Sequence, residues 1–87
     1  MIISVKGNNF REEAVNTDKL VLVDFYATWC GPCKALAPVL EEVSEKYSDS
    51  IKIVKVDVDE EETIAAKFGI VSIPTIVFLR NGQAVTS

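Results

Sequence analysis

The 87 residues carry 13 acids against 9 bases, a net charge of −4, with 48% hydrophobic and 25% charged residues. Such a length and balance describe one small globular domain, residues 1–87, that buries roughly 60–65% of its unfolded surface. The acidic balance without a Lys/Arg cluster argues against nucleic acid or an anionic membrane surface as partner, and no apolar run approaches the ~20 residues a bilayer span needs.

The opening stretch, MIISVKGNNF, has neither a long apolar leader core nor a small-residue cleavage site, so the cytoplasm is the expected address. Residues 2–5 (IISV) predict an edge strand. In NFREEAV, Asn9 followed by Glu12 predicts a capping box opening a short helix. Residues 20–27 (LVLVDFYA) are almost continuously apolar, as in a parallel strand buried on both faces, and Asp24 is the interruption. From residue 31 to 47, Cys33, Leu36, Leu40, Val43 and Tyr47 recur at helical spacing among Glu41, Glu42, Glu45 and Lys46. Pro38 falls inside that helix and is expected to kink it.

Residues 51–58 (IKIVKVDV) predict the next strand, Asp59 with Glu62 a second capping box, and Gly69 the stop of a short helix. The acidic run DVDEEE lacks the glycine and the final glutamate of a calcium loop and reads as a helix cap with favourable charge at a helix start. PTIVFLR is a strand, and Asn81-Gly82 predicts a type I′ turn into QAVTS. The order β-α-β-α-β-α-β-β implies an α/β fold: a central mixed sheet with helices on its faces, closed by one antiparallel hairpin.

The only two cysteines, Cys30 and Cys33, lie in WCGPCK at the junction of the second strand and the long helix. Three readings compete. A metal site needs about four ligands, and the chain has no His and no third Cys. A purely structural bridge closing so short a loop removes little unfolded-state entropy. A redox dithiol needs two sulfurs within bonding reach at a helix start in a βαβ pattern, which is what the sequence supplies.

Unpaired N–H groups at the helix start favour the Cys30 thiolate, although a more acidic thiol is also a weaker nucleophile. The larger gains are expected from a better leaving group and from substrate positioning. Gly31 permits close approach of a substrate backbone, and Pro32 occupies a first turn whose N–H has no helical partner. Asp24 reads equally as an ordinary hydrogen-bonded residue or as a base for the more deeply placed Cys33. Lys55 by itself reads as a solvated lysine on a strand.

DFYATWCGPCK, the later SIPT and the strand order resemble thioredoxin, and the resemblance covers essentially all 87 residues. The Gly-Pro between the cysteines is similar to thioredoxin itself rather than to the Gly-His of disulfide isomerases or the Pro-Tyr of glutaredoxins. The resemblance implies a thioredoxin-like three-layer sandwich and a protein-disulfide reductase. Cys30 would attack a client disulfide, and Cys33 would resolve the mixed disulfide, leaving an oxidised Cys30–Cys33 pair. It further implies that Asp24 acts as base toward Cys33 through a water, with Lys55 beside it. Ile73-Pro74 would be a cis-proline whose loop faces the cysteines and pairs with the substrate backbone. Trp29, Gly31 and Pro32 would join Ile73 and Pro74 in contacting substrate, and Tyr26 stands where many thioredoxins carry a second tryptophan.

No bound cofactor is implied. Electrons would come from NADPH through thioredoxin reductase, and the other partners would be disulfide-containing client proteins. One departure concerns the ending, RNGQAVTS, without the amphipathic C-terminal helix of the family. That leaves an expected uncovered sheet face, a route to a homodimer, and an alternative role as a truncated or minimal module that binds or assembles with weak activity.

Overall fold

The computed structural model describes residues 1–85; Thr86 and Ser87, the end of QAVTS, lie outside the described residues. Five strands form one mixed sheet: β1 (Ile2–Ser4), β2 (Leu20–Tyr26), β3 (Ile51–Asp57), β4 (Thr75–Arg80) and β5 (Gln83–Ala84). Their spatial order is β1-β3-β2-β4-β5. β1, β3 and β2 run parallel, whereas β4 runs antiparallel to β2 and β5 antiparallel to β4. β2 therefore has a partner along both edges, which explains its apolar sequence.

Alternation along β2 sorts its side chains. Val21, Val23 and Phe25 join Val54, Val56 and Leu79 in a core under Ala14 and Ile64. Leu22 faces the other way and packs with Ile53 under Leu40 of helix α1 (Gly31–Lys46). The sheet thus has α1 on one face, and on the other helix α2 (Glu62–Lys67) with a five-residue π-helical segment, Arg11–Val15. The mixed sheet with helices on both faces agrees with the order expected from the pattern.

Two local expectations fail. Asn9 does not cap the first helical segment: its Oδ1 accepts from the Lys6 N–H at 2.6 Å, and Phe10 stands at the helix start without a side-chain cap. The side chain is used up in closing the preceding turn. Asp59 does not cap α2 either, because Glu61 occupies that position. Here Asp57 Oδ1 accepts from the N–H of Asp59 at 2.9 Å and of Glu60 at 3.4 Å, so the turn is closed one strand residue earlier. α1 runs unbroken from Gly31 to Lys46 with Pro38 inside it.

The stop of α2 is as expected. Gly69 takes a φ of 64°, its N–H donates to the Ala66 carbonyl, and the Ile70 N–H donates to the Ala65 carbonyl, both at 3.1 Å. This pairing satisfies the last carbonyls of the helix through a left-handed glycine.

The hairpin turn also agrees, with φ of 54° at Asn81 and 81° at Gly82, as a type I′ turn requires. A Cβ on Gly82 would lie 2.7 Å from Val15 Cγ1, so the turn is pressed against the π-helical segment. Gly82→Ala should lower stability by roughly 1–2 kcal/mol through positive φ and this overlap. Thermal unfolding followed by circular dichroism checks it. Val15→Ala in the same chain should restore the steric part, and an unchanged Tm for Gly82→Ala alone would show that the turn is free to move away.

Candidate active site

The site is built where β2 ends and α1 begins. Cys30 is the N-cap of α1, with extended backbone (φ −85°, ψ 112°), and its Sγ accepts from the Cys33 N–H at 3.2 Å. Sulfur here takes the place of the oxygen that usually serves one of the unpaired N–H groups of a first turn. Cys30 and Cys33 are joined by a disulfide, with their Cα atoms 5.3 Å apart. Pro32 sits in the first turn.

Both cysteines are buried, at 4% and 6% exposure, so Cys33 is not the deeper of the two. The bond draws both into one cluster with Ala27, against which Tyr26, Val58 and Ile73 pack. Gly31 differs from Gly82: a Cβ placed on it would meet nothing within 4 Å, so space is open over the loop between the cysteines.

Asp24 lies in mid-β2, on the α1 face of the sheet. Its Cα partner on β3 is Lys55 and on β4 is Ile76. The carboxyl is buried, and its Oδ1 has no hydrogen-bond partner among the described residues. Burial pushes its pKa above the ordinary 3.8, and the Lys55 ammonium pulls in the opposite direction. A cavity of about 290 Å³ is lined by Asp24, Tyr26, Cys33, Lys34 and Lys55 among others. Carboxyl and Cys33 therefore share one space, large enough for several waters at about 30 Å³ each.

On the opposite side of the disulfide the surface is apolar. Trp29 is 68% exposed, and its Nε1 donates to Asp59 Oδ2 at 2.7 Å. With Val58, Ile70, Val71, Ser72 and Ile73 it lines a cleft of about 190 Å³. Val71 at the rim is 97% exposed. The Ile73-Pro74 peptide is cis, in the turn that leads into β4.

The structure thus brings Cys30, Cys33, Asp24 and Lys55 to one end of the sheet and sets Trp29 and Ile73 beside the disulfide. Two participants were not anticipated. Asp59 tethers the tryptophan, a role hidden because the residue sits in an acidic run that reads as a cap. The Lys55 Nζ stands 5.3 Å from the centre of the Tyr26 ring, a pairing visible only once the register of β2 on β3 is known. Among the described residues no group of His, Cys, Asp and Glu forms a metal-binding cluster. No helix there is long and apolar enough to cross a membrane.

The family model for thioredoxin matches residues 1–87. A thioredoxin of Bacillus subtilis is 48% identical over 81 residues, which is 93% of this chain and 78% of that protein. A thioredoxin of Porphyra purpurea is 45% identical over 84 residues, 97% of this chain and 78% of its own length. One from Haemophilus influenzae is 42% identical over 86 residues, 99% of this chain and 80% of that protein. With matches over nearly the whole chain and a disulfide closing Cys-Gly-Pro-Cys at a helix start, the chain belongs to the thioredoxin family of thiol–disulfide oxidoreductases.

Proposed function

We propose that the chain reduces disulfides of client proteins, with Cys30 as the attacking thiolate and Cys33 as the resolving thiol. The observation that carries this assignment is the N-cap position of Cys30, where the Cys33 N–H already points at its sulfur. Attack by Cys30 on a client disulfide forms a mixed disulfide and releases one client thiolate. Cys33 then attacks Cys30 Sγ, forms the Cys30–Cys33 bond, and releases the second client thiolate. The client gains two electrons, and the dithiol loses them.

Cys33 must give up its proton for the second step. Asp24 is the acceptor we assign, through water in the shared cavity, because burial has raised its proton affinity. Lys55 moderates that affinity. Trp29 and Ile73 offer the client an apolar shelf beside the disulfide, with the cis Pro74 next along the loop, and the space over Gly31, beside Pro32, leaves room for the client backbone. Reducing equivalents are assigned to thioredoxin reductase and NADPH, as family membership suggests, and the setting to the cytoplasm, where thiols are kept reduced. The exchange itself needs no cofactor bound to this chain.

A second reading, an assembly or binding module with weak activity, is favoured by one observation. Phe78 lies opposite Leu22 on the α1 face of the sheet and remains 38% exposed. A second copy seated on that face would cover it. Mass by sedimentation should then rise with concentration and fall back on Phe78→Lys; a constant monomer mass with full reductase turnover removes this reading.

For the assigned roles, Cys33→Ser should accumulate a mixed disulfide with a disulfide-bonded client, and Cys30→Ser should not. Alkylation of the reduced protein, mapped by peptide mass, should modify Cys30 at lower pH than Cys33. Trapping through Cys33 instead would reverse the assignment.

Asp24 gives a prediction in two parts. Asp24→Asn should slow resolution of the mixed disulfide by roughly 10²-fold while leaving the first attack nearly unchanged. For stability, a folded pKa above 3.8 means the folded protein holds this proton more tightly than the unfolded chain. That contribution is fully present below pH 3.8 and is lost as pH rises through the raised folded value. Because its buried Oδ1 has no partner among the described residues, Asp24→Ala should be the more stable protein at neutral pH, by roughly 1–3 kcal/mol. Denaturant unfolding against pH reads it, and equal stability at neutral pH would show that the buried carboxylate is compensated.

A further inference from the structure

Lys55 is the cation nearest in register to Asp24, yet it is not held by an ion pair. Among the described residues the ion pairs are Lys6–Glu60 and Lys52–Glu13, and the Lys55 Nζ donates no hydrogen bond. What its head group does meet is the face of Tyr26, 5.3 Å from the ring centre. A cation at that distance is attracted by the ring quadrupole. Tyr26 is two residues after Asp24 on the same strand, so both side chains point to the α1 face, and both line the cavity that contains Cys33.

We propose that Tyr26 is a positioning residue for the proton-transfer half of the cycle: its ring holds the Lys55 ammonium at the cavity and so sets how strongly that charge acts on the Asp24 carboxyl. The inference deepens the reductase reading and rests on Asp24 as the acceptor. Without the ring, the long and strongly hydrated lysine head is free to withdraw into solvent. The carboxyl would then lose its stabilising charge and hold its proton to higher pH.

The surrounding groups leave this pair as the controlling one. On β4 the neighbour of Asp24 is Ile76, which is uncharged. On β1 the neighbour of Lys55 is Ser4, also uncharged. α1 contributes Lys34 to the cavity wall beside Cys33. Asp57, Glu60 and Asp24 itself raise the Tyr26 phenol and Lys6 lowers it, whereas Lys55 is the charge that acts on the Asp24 carboxyl. Burial first, then Asp57 and Glu60, push the phenol pKa above its ordinary 10.0, so the ring stays neutral and is not itself the base.

The test follows the Asp24 carboxyl by carboxyl-carbon NMR in the disulfide form, where neither cysteine titrates. Tyr26→Leu and Lys55→Gln should each move the midpoint upward, by about threefold to tenfold in proton affinity, and Tyr26→Phe should leave it in place. The Tyr26→Leu/Lys55→Gln double variant should titrate like Lys55→Gln alone, because the ring acts only through the lysine. In the unmodified protein, the Lys55 ε-methylene protons should resonate upfield from ring shielding, a reading that needs no variant to fold.

An Asp24 midpoint unmoved by Tyr26→Leu but moved by Lys55→Gln would overturn the proposal, as would additive shifts in the double variant or an unshielded ε-methylene. Resolution rates of the reduced protein against pH separate the two readings. If Asp24→Asn leaves the resolution profile unchanged, the acceptor role fails, while the NMR midpoints still decide whether Tyr26 places the lysine.

Discussion

The active end of this protein depends on a sulfur standing where a helix cap usually places an oxygen. The first turn of α1 leaves backbone N–H groups without helical partners, and Cys30 Sγ accepts one of them, from Cys33. That contact goes with a Cα separation of 5.3 Å, within the span a disulfide bridges. A bridge closing so small a ring contributes little to fold stability, which suits a bond that must open and close in each cycle. Pro32 is tolerated there for the same reason the cap is needed: its position has no helical acceptor to lose.

The sheet supplies the second constraint. Because β2 is paired on both edges, every side chain on it is enclosed laterally, and Asp24 has Lys55 on one side and Ile76 on the other. The parallel connection from β2 through α1 to β3 lays the helix over the face that Leu22, Asp24 and Tyr26 share. Carboxyl, lysine, phenol ring and Cys33 then meet around one cavity, although they come from three elements. The buried acid is a burden on stability, and the acceptor role we propose for it toward Cys33, which lines the same cavity, gives it a chemical meaning.

In the proposed cycle, recognition and proton transfer are divided between the two sides of the disulfide. The cavity that holds the Asp24 carboxyl lies on the α1 side, while the cleft of Trp29, Val71 and Ile73 opens on the other side of the disulfide. Trp29 is held by Asp59, so the surface where we propose that a client docks has part of its ordering already done. The apolar rim contrasts with the acidic character of the rest of the chain.

The sequence alone determined the elements, their order and the redox pair. Hydrophobic periodicity, the Asn81-Gly82 turn and the Gly69 stop are local signals, and each acts within a few residues, so they survive without knowledge of the fold. The Cys-Gly-Pro-Cys motif is local in the same sense. The two capping boxes were misread because Asn9 and Asp59 each had a competing partner outside the helix they precede. The neighbourhoods of Lys55 with Asp24 and of Ile73 with the cysteines were legible only through the family resemblance, and only the tertiary structure showed the strand register behind them and that the Lys55 head group stands over the Tyr26 ring. Those contacts depend on strand register and on the face to which α1 returns, quantities set by burial of the whole sheet rather than by any short stretch of chain.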